Sequence, residues 1–142
     1  RRYLEQIDAD RTSVGWWHAG PPESIYSRFA RGFDVKAGKT EMFFRLDDKF
    51  FPGDHISNPV ELAVTYLDRG RGQWSPCYYN GTSKTSARKV RCKDSGKWKT
   101  IVIKLDDAHF NRRLERESDL TIRHLDGEST LFHMLELNRG QS

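Results

Sequence analysis

The run VELAVTYLD, residues 60–68, sets Val60, Leu62, Val64 and Tyr66 on one face of an extended chain and Glu61 and Thr65 on the other. A period of two over nine residues fits a strand with one face buried, and does not fit a helix, whose period is 3.6. The pattern returns in TEMFFRLD (40–47), with Met42, Phe44 and Leu46 opposed to Phe43 and Arg45. It returns again in KTIVIKL (99–105), with Ile101, Ile103 and Leu105 inward and Lys104 outward. QWSPCYY (73–79), LTIRHL (120–125) and LFHMLEL (131–137) complete the set. Pro76 has no N–H for a ladder, so its run is expected at a sheet edge or at a bulge. Between the runs stand DRGRG, NGTSKTS, KDSGK and LDGES, each a turn by its Gly, Asp, Asn and Ser content. Many short strands, regular punctuation and no sustained helical period predict an all-β sandwich or barrel, with one short helical turn admitted around DDAHFNRR.

Residues 1–32 carry little alternation, and HAGPPES stops any regular element at Gly20, Pro21 and Pro22. They are expected to form an irregular N-terminal segment packed on a module spanning 33–142. With 142 residues the chain has the size of one domain. No apolar stretch reaches the length that crosses a bilayer as a helix, so no membrane role is expected. Arg1 in place of Met suggests a processed product or a module of a longer polypeptide.

The 24 Lys and Arg against 20 Asp and Glu give +4, with the signs interleaved, whereas nucleic-acid binders usually concentrate their positive charge. ARKVRCKDSGKWK is the local exception, with Arg88, Lys89, Arg91, Lys93, Lys97 and Lys99. It reads either as a solvated strand face guarded by lysines or as an attractor for an anionic partner such as an acidic polysaccharide. The two cysteines lack CxxC spacing and any cysteine–histidine quartet. If the runs around NGTSKTS form a hairpin centred between Lys84 and Thr85, Cys77 and Cys92 face each other as cross-strand neighbours. A disulfide is then geometrically allowed. Two buried free thiols are the alternative.

FDVKAGKTEMFFRLDDKFF, PVELAVTYLDRGRGQWSPCYYNG, DSGKWKTIVIKLDDAHFNRR and SDLTIRHL, in that order, resemble a galactose-binding-domain-like β-sandwich module of the carbohydrate-binding type. Such modules accompany bacterial glycoside hydrolases and polysaccharide lyases. The match runs from about Phe33 to Leu137. Its more specific parts are Trp98-Lys99-Thr100 and Asp107-Ala108-His109-Phe110, while SVGWWHAGPPES and both cysteines depart from it. The resemblance implies a jelly-roll sandwich of two antiparallel sheets in a secreted, periplasmic or cell-surface protein. It implies an ancillary role: binding a glycan, or bracing a catalytic domain of the parent chain. Modules of this kind often hold a structural calcium, for which Asp34, Asp68 and Asp107 are the candidate ligands; no other cofactor is implied.

The charged corner Asp106-Asp107-Ala108-His109 with Arg112 and Arg113 has the composition of an active site. Glycoside hydrolysis, however, needs two carboxyl groups straddling a bond, about 5–10 Å apart, and neighbouring side chains at a strand end diverge. The corner is therefore expected to be architectural: Asp107 accepts backbone amides, Phe110 plugs the core and the arginines pair with carboxylates. Asp47-Asp48 is read the same way. His18, His55, His109, His124 and His133 show no HxH or HExxH spacing, and no GxSxG elbow is present, so a complete active site is not expected.

Aromatic rings remain the strongest binding candidates, because sugar C–H faces lie on them while hydroxyls take side-chain hydrogen bonds. Trp16, Trp17 and His18 lie in a segment without regular pattern, and Tyr78 and Tyr79 must point to opposite faces. Arg28 and Arg31 suit a carboxylated sugar. The expected function is a non-catalytic carbohydrate-binding module whose ligand set is Trp16, Trp17, His18, Tyr78, Arg28 and Arg31. The rival readings are a sandwich that binds no sugar and braces a catalytic neighbour, and, further off, a small lyase or hydrolase using His18 or His109.

Overall fold

A computed structural model describes residues 2–17, 19–21, 29–46 and 59–139. Twelve strands are described: β1 Arg2–Tyr3, β2 Glu5–Ile7, β3 Val14–Trp17, β4 Phe29–Gly32, β5 Glu41–Arg45, β6 Val60–Asp68, β7 Gln73–Tyr79, β8 Lys84–Ser86, β9 Val90–Arg91, β10 Lys97–Leu105, β11 Leu120–Asp126 and β12 Leu131–Arg139. One helical turn, α1 (Ala9–Thr12), and two 3-10 turns, Val35–Ala37 and Glu115–Glu117, join them. The first sheet runs β10-β6-β12-β4-β3, with β1 also on β12; the second runs β2-β5-β11-β7-β8, with β9 also on β7. Every pairing is antiparallel, and the two sheets pack face to face as the alternating pattern requires.

The expected inward residues make the core. Val60, Leu62 and Val64 from β6, Ile103 and Leu105 from β10, and Leu135 and Leu137 from β12 meet Met42, Phe44, Trp74, Leu120 and Ile122 of the second sheet. Fully burying each such side chain contributes about 1.5–3 kcal/mol. Trp74 anchors the centre, edge-on to Tyr66 at 5.0 Å and to Phe132 at 4.9 Å. A second, smaller cluster lies on the outer face of the first sheet, where Ala30, Leu67 and Leu131 are covered by Ala19 and flanked by Trp98.

Residues 1–32 hold more regular structure than their sequence pattern suggests. β1 and β2 supply a strand to each sheet, with Leu4 crossing between them, and β3–β4 extend the first sheet. Pro76 is in β7, which has partners on both sides. Its carbonyl accepts from Ala87 N–H at 2.8 Å, so its missing N–H faces residues 87–89, where the edge is broken between β8 and β9. A proline costs no ladder bond there.

That break also sets the cysteine register. Cys77 pairs with Ser86, while Gln73 pairs with Arg91, next to Cys92. Cys77 and Cys92 are consequently two buried free thiols rather than facing neighbours. The Cys92 sulfur lies 3.6 Å from Thr130 Oγ1, and burial pushes its thiol pKa up. The helical turn admitted around DDAHFNRR is absent; the 3-10 turn follows at Glu115–Glu117.

Candidate functional site

Strand pleating gives the first sheet an outward face whose composition follows from register. Glu61, Ala63 and Thr65 of β6 stand beside Lys104, Val102 and Thr100 of β10, and beside Asn138, Glu136 and Met134 of β12. Thr65 and Thr100 share a hydrogen bond of 2.9 Å. Val102 is 53 % exposed. At the other end of the sheet Trp16, opposite Ala30 in the β3–β4 hairpin, is 50 % exposed on the same face. The part of this face on β6, β10 and β12 is largely polar, and Trp16 is an open aromatic ring at its margin, beside the cluster that Ala19 covers. Trp98 also faces outward but is half-buried: a Cβ on Gly20 would collide with its indole nitrogen, and its ring meets His133 edge-on at 6.0 Å.

Arg31 lies on the opposite side of the hairpin. It pairs with Phe132, whose ring is in the core, so the guanidinium side of β4 faces between the sheets. Its Nη1 donates to Ala9 O at 3.2 Å and to Ser13 Oγ at 3.3 Å, and its Nη2 to Asp10 Oδ1 at 2.8 Å. There it borders a cleft of about 350 Å³. Trp16 and Arg31 therefore do not converge on one ligand. Tyr78 belongs to neither place: it is 8 % exposed, and its hydroxyl donates to Asp107 Oδ1 at 2.5 Å. Burial first, then the Asp107 carboxylate, push its phenol up to about 12. His18, Arg28 and the side chain of Trp17 lie outside the described residues, as do His55 and the Asp47-Asp48 pair.

The DDAHF corner is built as a joint. Asp107 takes the Tyr78 hydroxyl, Ala108 and Phe110 are buried, and His109 N–H donates to Tyr79 O at 2.8 Å. Arg113 stacks over the Tyr79 ring at 5.2 Å. A less visible acid, Asp119, does the amide-capping foreseen for Asp107. It is 2 % exposed and accepts from Leu46 N–H and Arg112 N–H, both at 2.8 Å, while burial pushes its carboxyl up. Beyond it Arg116 and Glu117 take φ of 58° and 56°, a left-handed geometry uncommon outside glycine. Arg45 holds that bend by donating to both carbonyls at 3.2 Å.

The three acids suited to calcium are separated in role. Asp34 accepts from Ala37 N–H, Asp107 from Tyr78, and Asp68 is fully buried under its own donors. Lys93 N–H reaches Asp68 at 2.6 Å, Ser95 N–H at 3.2 Å and Lys99 Nζ at 3.0 Å. Burial alone would raise this carboxyl; the Ser95 and Lys99 side chains with the two amides outweigh it and hold the pKa well below the usual range. Among the described residues no group of three His, Cys, Asp or Glu is placed to hold a metal ion. In the basic stretch Lys99 is thus committed to Asp68, and Arg91 bridges to Asp126 at 3.2 Å, whereas Arg88, Lys89, Lys93 and Lys97 are exposed.

No family model, curated protein or solved structure matches the chain. Among the described residues no helix is long and apolar enough to cross a membrane. The sequence pattern puts Glu61 on the outward face and Thr100 in the family motif, and gives no sign of Val102 or Asn138. Only the register, which aligns them across three strands, makes them one surface.

Proposed function

We propose that this chain is a non-catalytic carbohydrate-binding module that holds a partner catalytic domain near a polysaccharide. The observation that carries the reading is Trp16, a half-exposed indole on an open sheet face that elsewhere offers Thr, Glu, Asn and Lys side chains. A sugar ring stacks its C–H face on such an indole. Outward residues about 4.8 Å apart across strands then meet successive hydroxyls. Tethering raises the local concentration of substrate without any chemistry of its own. The exposed Arg88, Lys89, Lys93 and Lys97 favour an acidic polymer. A secreted, periplasmic or cell-surface bacterial glycoside hydrolase or polysaccharide lyase is the parent that suits this role.

The test is affinity electrophoresis through gels containing neutral or acidic polysaccharides, with calcium and with chelator. Retardation by one polymer, lost in a folded Trp16→Ala variant, is expected. Free migration through every gel overturns the reading and favours a second one, in which the sandwich braces a catalytic neighbour. That alternative draws on the same face, where Val102 and Trp16 are both open apolar groups. Under it, either substitution weakens docking of the catalytic domain instead.

A further inference from the structure

The outer face of the second sheet holds a cleft of about 270 Å³. Glu41 and Phe43, outward residues of β5, line its base. Three segments distant in sequence make its walls: Arg11 of α1, Lys39 and Thr40 leading into β5, and Arg116 of the second 3-10 turn. Arg116 reaches the cleft from a backbone at φ 58° and donates to Asp8 Oδ2 at 2.6 Å, and Asp8 is itself at φ 50°. Two non-glycine residues held left-handed and tied to each other form a strained junction, of the kind that gathers at binding sites.

The charges of the lining do not cancel. Glu41 brings a carboxylate, but Lys84 takes it from β8 at 2.6 Å and Arg123 stands beside it on β11. Arg116 pairs with Asp8 where both side chains are partly exposed, so water and salt weaken the pair. Its guanidinium also lies 5.3 Å over the Phe43 ring. Stacking uses the plane of the group and Asp8 uses one N–H, so further N–H donors remain at its edge. Lys39 Nζ donates to Asp10 O at 3.0 Å and to Ser13 O at 3.3 Å. These carbonyls fix the ammonium in place without neutralising it. The Arg11 side chain is exposed, and no carboxylate among the described residues pairs with it or with Lys39.

We propose that this cleft binds a small phosphate monoester, its phosphate between Arg11, Lys39 and the free edge of Arg116 and its organic body against Phe43. Cations on separate walls suit a tetrahedral dianion, which presents oxygens in several directions, whereas a planar carboxylate is satisfied by one guanidinium fork. Thr40 adds a hydroxyl beside them. The volume lies just under the usual small-molecule range of about 300–1,000 Å³, enough for a phosphate with a short body and too little for a polymer. Trp16 is on the outer face of the other sheet, so this site is separate from the glycan surface and does not depend on it.

Isothermal titration calorimetry on the whole chain, in low salt at about pH 8 where the ester is a dianion, is the test. The probes are phenyl phosphate, inorganic phosphate and benzoate. Phenyl phosphate is expected to bind most tightly, and at least about tenfold more tightly than benzoate, the worth of one further charge-assisted hydrogen bond. Arg11→Gln, at an exposed side chain that holds nothing in the fold, should weaken phenyl phosphate by a similar factor. Arg69→Gln removes the same charge from the exposed turn after β6, in the other sheet, and should leave the affinity as it was. Thr40→Asp sets a negative charge at the site and should abolish binding. Benzoate or inorganic phosphate matching phenyl phosphate, equal losses in Arg11→Gln and Arg69→Gln, binding retained in Thr40→Asp, or no heat with any probe each overturns the proposal.

Discussion

Asp68 allows the electrostatics of the fold to be tested by a single oxygen. Its buried carboxylate joins the end of β6 to residues 93–95, where it takes two backbone amides and the Lys99 ammonium. The joint is reinforced by Gly96 N–H on Asp68 O at 2.7 Å and by Gly70 N–H on Asp94 Oδ1 at 2.8 Å. Asp68→Ala leaves both amides without an acceptor and Lys99 without its partner, which costs about 3–5 kcal/mol. Asp68→Asn keeps one acceptor oxygen and removes the charge, at about 1.5–3 kcal/mol. Either is a large share of the about 5–15 kcal/mol that holds a domain folded. Urea unfolding followed by tryptophan fluorescence measures both. The pH dependence carries a second constraint. Because the folded pKa is depressed, the unfolded chain binds more protons in acid, and the stabilisation is complete only above the unfolded value of about 3.9. The gap between wild type and Asp68→Asn should therefore be constant from pH 7 to pH 5.5 and shrink steadily below pH 4.5. A gap under about 0.5 kcal/mol, the ordinary range for surface substitutions, or one that does not narrow in acid, refutes the account.

Three further outcomes follow from the packing. Gly20→Ala places a Cβ on the Trp98 indole at a φ of +85°, so a loss of about 1–3 kcal/mol is expected, with a changed near-ultraviolet dichroism from the displaced ring. Native protein should show no fast thiol reaction with an aromatic disulfide reagent, and two thiols per chain once guanidinium unfolds it; no thiol under non-reducing conditions would mean a bridge. Ultraviolet titration should show a phenol ionising near 12 that is absent in Tyr78→Phe. Since that pKa lies above the unfolded value of about 10, the Tyr78 contribution to stability is full below pH 10 and is lost as pH rises towards 12.

The strands legible in sequence were those with one face in the core. β5, β6, β7, β10, β11 and β12 coincide with the six β-type runs of the sequence, and they carry most of the buried residues. The strands without a visible pattern, β1 to β4 and β8, are two to four residues long and lie at or next to sheet edges. Their order comes from the ladder of a neighbour rather than from their own pattern, so VGWW and FARG gave no period to detect. The cysteine register failed for a related reason: a hairpin midpoint assumes one continuous return strand, and here residues 87–89 break it in two. Of the candidate site, Trp16 was visible as a residue type and its open placement was not. Arg31 was picked out for its charge, yet the side of the sheet it faces depends on pairing with Phe132, a partner 101 positions away.

β12 has consequences for how the chain is made. It is the last described strand, and β6, β4 and β1 all hydrogen-bond to it. Until residues 131–139 have left the ribosome, the β10–β6 pair and the β3–β4 hairpin are two separate fragments with nothing between them. The described strands of the second sheet end with β11, so that sheet can assemble earlier. A nascent chain paused near residue 126 would thus present a finished layer with an uncovered apolar face, the state most open to chaperone capture. Completion of the sandwich is a single late insertion, and the vulnerable interval lasts as long as synthesis of the final thirteen described residues, 127–139.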